Sequence, residues 1–303
     1  MDFNKLPNFL IIGAAKSGTT SLFNIVAQHP GVFSSQVKET RFFSDDQNYL
    51  RGVDWYEVTH FKNTRNQLVR MEGTPAYLTW SEKVAPRIKE MYQGQPVKFA
   101  AIFRDPVKRA YSHYWHRVRL GTETAPTFEE AIYTEKERLK ENWDRLSTKG
   151  DGLYGYYRAG CYASRLKPFL ELFPRERFYF MLQEDLSIEN SLIMAGLFSF
   201  LGIDDNYPVK YLVSNESSAP RNEQIYSIYH RLKKTGLRRI VKVLTPRKFR
   251  RWLREDVLVK PYRYPPMDEE IKKELYSRYS YENQQLEKII GRDLSHWIFQ
   301  EKR

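Results

Sequence analysis

The residues best suited to chemistry near the start of the chain lie in the segment GAAKSGTTS, Gly13 to Ser21. Gly13 and Gly18 permit a close backbone approach, the hydroxyl groups of the segment can donate hydrogen bonds, and Lys16 adds a positive charge. A loop of small residues that leads into a helix presents backbone N–H groups and the positive end of the helix dipole to an anion. The segment therefore favours a phosphate-binding loop over the alternative, a plain tight turn.

The position of the lysine separates this loop from the loop of ATP- and GTP-using proteins. Their pattern, G-x-x-x-x-G-K-[ST], places the lysine after the second glycine, where it reaches the terminal phosphates. Here Lys16 lies two residues before the second glycine. The apolar run at residues 97–103 also ends in Arg104, where a magnesium-binding carboxylate would be expected. Both features disfavour a P-loop kinase.

The elements that would position the loop are predicted from the hydrophobic pattern. Apolar runs predict strands at residues 8–12, 67–75, 97–103 and 177–186, and helical spacing follows at 20–28, from Pro106 and at 187–201. Strands that alternate with helices predict βαβ units and a mainly parallel sheet, with ligands beyond the carboxyl ends of its strands. Residues 121–158 are polar and prone to form helices, which predicts an insertion or a helical cap over the sheet.

The predicted fold is a single α/β domain over residues 1–303, with a central, mainly parallel β-sheet flanked by helices. A chain of 303 residues is long enough for one large α/β domain or two small ones. No internal repeat and no linker rich in Pro, Gly or Ser divides it, so one domain is the simpler prediction. A basic, helical C-terminal part begins at about residue 223.

The charge balance predicts an anionic partner. Lys and Arg number 49 against 37 Asp and Glu, a net charge of +12. This suits a nucleic acid, a membrane surface, an acidic polysaccharide or a highly phosphorylated cofactor, and the charge alone does not select one. Residues 231–254 contain many basic and no acidic residues, with apolar residues between them. This basic stretch is either a solvated helix face or a surface for an acidic partner or a membrane.

The length of the apolar runs and the cysteine content indicate the cellular compartment. The longest nearly apolar run, residues 9–15, is far shorter than the ~20 residues of a membrane span and lacks the features of a signal peptide. The single cysteine, Cys161, excludes an internal disulfide and a cysteine-rich metal site. We therefore expect a cytosolic protein without a transmembrane segment, in which Cys161 is a small buried residue.

The segment KSGTT resembles the 5′-phosphosulfate loop of sulfotransferases that use 3′-phosphoadenosine 5′-phosphosulfate (PAPS). The pattern of that family is a basic residue, any residue, and then Gly-Thr-Thr. The resemblance implies that Lys16 lies beside the oxygen that bridges phosphate and sulfate, where it stabilises the leaving group. It also implies that the 5′-phosphosulfate is cradled by Lys16, Ser17, Gly18, Thr19, Thr20 and Ser21.

Two further segments are similar to the same family. An arginine at a strand end and a serine eight residues later grip the 3′-phosphate in these enzymes, and Arg104 and Ser112 match that pair. A guanidinium group suits this role because it can form two parallel hydrogen bonds to a phosphate. Residues 38–61 are similar to a segment of the heparan-sulfate sulfotransferases and their bacterial relatives. The glutamate that serves as general base in that branch corresponds to Glu39.

Other positions follow the family less closely. His116 matches an active-site histidine of the N-sulfotransferase member, whereas His113 lies on another helix face and is expected to be structural. Arg221 is the best available cation in a late loop that closes over the 3′-phosphate in the family. Gly73 stands where several heparan-sulfate enzymes carry a lysine, which weakens the expectation of a heparan sulfate acceptor. Gly160, Tyr162, Tyr77 and Trp80 either line the nucleotide or acceptor sites or pack in the core.

The sequence therefore predicts an enzyme that moves a sulfuryl group from PAPS to an acceptor hydroxyl of a small molecule or glycan. It would release adenosine 3′,5′-bisphosphate, require no metal and bind no nucleic acid. Its predicted catalytic residues are Lys16, Glu39 and His116. Three alternatives remain open: N-sulfation of an amine by the same chemistry, a P-loop kinase, and a non-enzymatic polyanion-binding protein.

Overall fold

A central parallel sheet organises the protein. The structure is a computed structural model that describes residues 6–141, 154–187, 191–211, 218–220, 259–261 and 264–300. The strands of the sheet are β1 Phe9–Gly13, β2 Val32–Ser34, β3 Val69–Gly73, β4 Lys98–Phe103 and β5 Phe178–Leu182. They lie in the order β2-β3-β1-β4-β5, and each neighbouring pair is parallel. The predicted α/β fold class with a central parallel sheet is confirmed.

Helices connect and cover these strands. The α-helices of the described segments are α1 Thr19–Val26, α2 Asp46–Tyr49, α3 Gly52–His60, α4 Ala76–Thr79, α5 Ser81–Tyr92, α6 Pro106–Arg119, α7 Phe128–Tyr133, α8 Glu135–Glu141, α9 Tyr162–Leu172, α10 Gln183–Ser187, α11 Ser191–Leu201 and α12 Glu269–Ile290. Two short strands, β6 Ser218–Pro220 and β7 Val259–Pro261, form an antiparallel pair. Within the described residues, no helix combines the length and the apolar character that crossing a bilayer requires.

Apolar side chains cover both faces of the sheet, as a parallel sheet requires. All five residues of β1 are buried. Leu10 and Ile12 pack on one face with residues of α5, α9 and α12. Phe9 and Ile11 pack on the other face with residues of α1 and α11. The sheet is thus buried on both sides, and the loops at its carboxyl edge are the part that remains available for ligands.

The segment predicted as a helical cap packs beside the sheet. Its described part contains α7 and α8, so the predicted helical character is confirmed. Phe128 and Ile132 of α7 lie in a cluster with Val107 of α6 and Leu275 of α12. This cluster is separate from the two that cover the sheet, so α7 packs on α6 and α12 and not over the strands.

One strand end and one missed strand are the main differences from the sequence prediction. The run at 177–186 was predicted as one strand, but β5 ends at Leu182 because the N–H of Leu182 donates to the Asp185 carboxylate at 2.8 Å. The next residues form α10 in place of strand. Strand β2 was missed because it has only three residues, and only the first of them is buried.

Candidate active site

Three loops at the carboxyl edge of the sheet bring together residues that the sequence singled out. They follow β2, β1 and β4, which lie in one sheet in the order β2-β3-β1-β4. The backbone N–H of Glu39 donates to the carbonyl of Gly73 at 3.0 Å, which attaches the Glu39 loop to the end of β3. The guanidinium of Arg104, after β4, donates from Nη1 to the carbonyl of Lys16 at 3.3 Å. The two predicted phosphate sites and the predicted base therefore share one edge.

The loop between β1 and α1 has the features of an anion site. Gly18 has a φ of +101°, in the left-handed region that favours glycine. Helix α1 begins at Thr19 without a side-chain cap and without an acidic residue in its first turn. The Ser17 hydroxyl is fully buried and makes no hydrogen bond of ordinary geometry with the described residues. Uncapped N–H groups and a buried hydroxyl with no bond of ordinary geometry are features that suit a bound anion.

The remaining hydroxyl residues of the loop differ in their exposure. Thr19 and Ser21 are buried and Thr20 is exposed. All three lie in the first turn of α1, where backbone N–H groups point out of the helix end. Their backbone N–H groups are therefore placed to contact an anion, independently of the exposure of each side chain.

Lys16 occupies a region of concentrated positive charge. Burial, together with the charges of Arg119, Arg104 and Arg109, lowers the pKa of Lys16 to about 8. The charge of Glu39 acts in the opposite direction. Several cations gathered around one buried lysine repel each other, so an anion that enters the loop is strongly favoured.

Arg104 and Ser112 form the second predicted phosphate site. The carbonyl of Arg104 accepts a hydrogen bond from the Tyr162 hydroxyl at 2.9 Å, which fixes the end of β4. Asp105 caps α6 by accepting backbone N–H bonds at 2.9 and 3.1 Å, so this helix end is already satisfied. Ser112 lies buried on the same helix. An anion here would therefore be held by the Arg104 guanidinium and the Ser112 hydroxyl.

Glu39 presents an accessible carboxylate beside Lys16. Its side chain is 41% exposed, and its Oε1 lies 2.9 Å from Nζ of Lys38, which is only 17% exposed. The φ of Glu39 is 65°, in the left-handed region, so the turn places this residue in a conformation that its sequence alone does not favour. An exposed carboxylate next to a partly buried cation can receive a proton from a molecule that approaches from solvent.

A packing contact explains why Gly73 replaces the lysine of related enzymes. A Cβ atom added at Gly73 would lie 2.9 Å from Cδ2 of Phe23 in α1. This separation is too short for a normal contact, so any side chain here would displace the phenylalanine. The cation that the resemblance places at this position is excluded by the packing of α1 on β3.

The two histidines of α6 are both neutral at ordinary pH. Nδ1 of His116 lies 2.8 Å from Nη2 of Arg119, and it accepts because a guanidinium can only donate. The proton of the neutral ring is then on Nε2. Burial and the charge of Lys16 lower the pKa of His116 to about 3. His113 packs edge-on against Tyr156, and burial lowers its pKa well below the usual value.

A comparison with known families assigns the chain. The family described as "Sulfotransferase domain" matches residues 6–258. The chain belongs to the sulfotransferase domain family. The family predicted from KSGTT, Arg104 and Glu39 is thereby confirmed.

Individual relatives support the family assignment. The chain is 31% identical over 175 residues to mouse heparan sulfate glucosamine 3-O-sulfotransferase 5, a match that covers 58% of this chain and 47% of the relative. It is 27% identical over 316 residues to human bifunctional heparan sulfate N-deacetylase/N-sulfotransferase 3, covering 98% of this chain and 32% of the relative. The chain therefore spans about half or less of the length of these curated relatives.

A solved structure shares the fold over nearly the whole chain. The crystal structure of a sulfotransferase from Alicyclobacillus acidocaldarius is similar with a TM-score of 0.69 and 25% sequence identity. The similarity covers 96% of this chain and 98% of that one. The sulfotransferase fold thus accounts for the described elements on both sides of the sheet.

Two buried charged residues near the site were missed by the sequence analysis. Glu72, at the end of β3, is fully buried, and three hydroxyl groups donate to it. Arg109 of α6 is fully buried, donates to the carbonyl of Tyr156, and has no partner for Nε and Nη1 among the described residues. An acidic residue at a buried position of the predicted strand VRMEG was a signal for Glu72, and the three-residue spacing from Arg109 to Ser112 was a signal for Arg109.

Several residues could either line the nucleotide or acceptor site or pack in the core, and the structure favours packing. Tyr77 and Tyr162 are fully or almost fully buried. A Cβ added at Gly160 would lie 2.6 Å from the Tyr279 hydroxyl, so this glycine allows helix packing. Cys161 is partly buried, and burial raises the pKa of its thiol to about 12. These side chains support the site from behind or lie away from it.

Two predictions fall on other parts of the chain. Arg221, predicted to contact the 3′-phosphate, and the basic stretch 231–254 lie outside the described residues. Both remain predictions from the sequence.

Proposed function

We propose that the protein is a sulfotransferase that uses PAPS and sulfates a hydroxyl group of a glycan or small molecule. One observation carries the proposal: Lys16, Arg104 and Glu39 converge at one edge of the sheet in a chain of the sulfotransferase domain family. Two cationic sites, one after β1 and one after β4, suit a nucleotide with phosphate groups at both the 5′ and the 3′ position.

The residues of these two sites suit the donor nucleotide. Ser17 offers a buried hydroxyl that makes no hydrogen bond of ordinary geometry with the described residues, and the uncapped start of α1 offers backbone N–H groups. These would hold the 5′-phosphosulfate together with Lys16. Arg104 and Ser112 would hold the 3′-phosphate. The donor supplies the sulfuryl group and leaves as adenosine 3′,5′-bisphosphate.

The side chains then divide the work of the transfer. Glu39 accepts the proton of the acceptor hydroxyl as the acceptor oxygen forms a bond to sulfur. The bond from sulfur to the bridging oxygen breaks, and Lys16 stabilises the negative charge that remains on that oxygen. His116, neutral and with its proton on Nε2, can donate a hydrogen bond without adding charge to the site.

The acceptor class is proposed from the relatives. The mouse relative is named for 3-O-sulfation of heparan sulfate glucosamine, which supports a carbohydrate hydroxyl. The proposal includes a small-molecule hydroxyl because Gly73 stands where several heparan-sulfate enzymes carry a lysine. An amine acceptor is the second candidate, since the human relative that matches 98% of the chain is named as an N-sulfotransferase.

Nucleotide selectivity tests the donor. Titration calorimetry would compare adenosine 3′,5′-bisphosphate with adenosine 5′-monophosphate and ATP. We expect adenosine 3′,5′-bisphosphate to bind at least about 100-fold more tightly than the monophosphate, because a phosphate held by charged hydrogen bonds contributes about 3 kcal/mol. Equal binding of the three nucleotides, or magnesium-dependent turnover of ATP, would contradict the proposal.

Acceptor screening tests the transfer. Radiolabelled PAPS would be incubated with desulfated glycans, small alcohols and amines, and the labelled products would be separated. Label on a hydroxyl product supports the proposal, and label only on amines would select the second candidate. No label in any product, in a protein that binds the bisphosphate, would contradict a hydroxyl or amine acceptor among these classes.

A further inference from the structure

A buried carboxylate lies behind the loop that carries Glu39. Glu72 is at the end of β3, and its side chain is fully buried among aromatic residues. The hydroxyls of Tyr56 and Tyr77 donate to its Oε2 at 2.9 and 2.8 Å, and Thr74 donates to its Oε1. Burial raises the pKa of Glu72, and these hydrogen bonds oppose the rise. The reaction proposed above has no direct use for this group.

Two of the three hydroxyls that donate to Glu72, those of Thr74 and Tyr77, also hold the backbone that follows Glu39. The N–H of Arg41 donates to Oγ1 of Thr74 at 3.2 Å, and the N–H of Phe43 donates to the hydroxyl of Tyr77 at 3.3 Å. Between them, the N–H of Phe42 donates to Oγ1 of Thr40 at 3.2 Å. Thr40 lies 3.4 Å from the Tyr77 oxygen. Three consecutive backbone N–H groups are thus satisfied by hydroxyl oxygens.

The direction of these bonds is set by the carboxylate. Thr74 and Tyr77 use their hydroxyl protons on Glu72, and a hydroxyl has one proton and two acceptor lone pairs. Their oxygen lone pairs are then free to accept from the loop, and the Thr40 hydroxyl lies beside both Tyr77 and Glu72. A glutamine at this position would itself donate, which would force at least one hydroxyl to turn and lose its loop contact.

The loop needs this support because its conformation is unfavourable by itself. Glu39 and Arg41 have φ values of 65° and 56°, in the left-handed region that residues with a Cβ seldom adopt. Such residues persist only where surrounding contacts hold them. Glu39 is also attached to the sheet by its N–H bond to Gly73, so both sides of the turn are fixed to the end of β3.

We propose that Glu72 is a positioning residue that, through Thr74 and Tyr77, fixes the turn on which Glu39 meets the acceptor. The inference rests on the proposed function, in which Glu39 is the base. Glu72 touches neither substrate, so its effect should appear in turnover and not in donor affinity.

Two buried tyrosines provide a matched test. Tyr56 and Tyr77 are both fully buried and both donate to Oε2 of Glu72, but only Tyr77 accepts from the loop backbone. Tyr77→Phe should lower kcat about 10–100-fold, because small displacements of a reacting group have effects of this size. Tyr56→Phe should keep kcat within about threefold. Both variants should bind adenosine 3′,5′-bisphosphate as the parent protein does.

A second pair guards against variants that fail to fold. Thr74→Val removes the hydroxyl and should lower kcat, whereas Thr74→Ser retains it and should restore kcat. Hydrogen exchange of the N–H groups of residues 41–43 should accelerate in Tyr77→Phe and Thr74→Val, and not in Tyr56→Phe. This readout follows the loop directly and does not depend on the identity of the base.

The outcomes separate this inference from the proposed function. Equal loss of kcat in Tyr56→Phe and Tyr77→Phe, or unchanged exchange at residues 41–43 in Tyr77→Phe, would overturn the positioning role of Glu72. Full turnover in Glu39→Gln would instead overturn the assignment of the base, and the exchange data would still report whether Glu72 fixes the turn.

Discussion

Among single residues, Lys16 has the charge state on which the proposed site depends most. Burial and three arginines lower the pKa of Lys16 to about 8, so the free protein begins to lose this proton as the pH rises through 8. An anionic ligand raises the pKa of a nearby lysine because it favours the charged form. Binding of adenosine 3′,5′-bisphosphate should therefore take up a proton at pH 8 to 8.5, and much less at pH 6.5.

Calorimetry in buffers of different ionisation enthalpy measures this uptake. Lys16→Met is the control, since it removes the titrating group and should abolish the uptake at pH 8. Uptake that persists in Lys16→Met would assign the proton to another group. Deprotonation of Lys16 in the free enzyme also predicts that kcat/KM declines above about pH 8, where enzyme with neutral Lys16 accumulates.

Arg104 allows a second test at the residue scale. Arg104→Ala should weaken binding of adenosine 3′,5′-bisphosphate by about 1.5–3 kcal/mol, the usual contribution of a hydrogen bond to a charged group. Binding of adenosine 5′-monophosphate, which lacks the 3′-phosphate, should change little. If both nucleotides lose affinity equally, Arg104 does not contact the 3′-phosphate.

At the scale of elements, the contact between α1 and β3 determines what residue 73 can be. Gly73→Ala would place a Cβ 2.9 Å from Phe23, and overpacking of this kind costs about 1–3 kcal/mol of unfolding free energy. Gly155→Ala is the matched control, because its Cβ would meet only Ala159 at 3.9 Å. Urea denaturation should show a loss for Gly73→Ala and little change for Gly155→Ala. Equal stabilities would mean that packing does not exclude a side chain at residue 73.

The elements around the site show what the sequence could predict. β1, β3 and β4 are buried strands followed by Gly, Pro or polar residues, so hydrophobic pattern alone located them to within a few residues. Glu72 escaped prediction because its role depends on hydroxyls from α3 and α4 that meet only in the folded chain. The end of β5 escaped for a similar reason, since the Leu182 N–H donates to the Asp185 carboxylate and the chain turns into α10 at Gln183.

At the scale of the whole molecule, the net charge of +12 still favours an anionic partner. The basic stretch 231–254 is the sequence feature most suited to it, and the contact remains a prediction. Changing Arg238, Arg239 and Lys242 to Gln should weaken binding of a sulfated or carboxylated glycan and reduce its salt dependence. Affinity for adenosine 3′,5′-bisphosphate should not change. Identical glycan binding by the variant would assign the charge to solubility alone.

The family assignment gives the chain one reaction type to test, sulfuryl transfer. The residues predicted to carry it lie at one edge of the sheet. The single domain over residues 1–303 and the cytosolic location remain predictions. Glu39 follows β2 and is bonded to the end of β3, whereas Lys16 follows β1 and Arg104 follows β4. The parallel order β2-β3-β1-β4 therefore brings these residues, distant in sequence, to one edge. Sequence similarity indicated these residues, and the sheet order explains their proximity.

The most direct test of the account is the turnover of Glu39→Gln with radiolabelled PAPS and the best acceptor from the screen. We expect kcat to decrease about 10²–10⁴-fold, as for loss of a general base, while affinity for adenosine 3′,5′-bisphosphate stays nearly unchanged. Near-full turnover by Glu39→Gln, with normal nucleotide binding, would contradict the central claim that Glu39 removes the acceptor proton at this site.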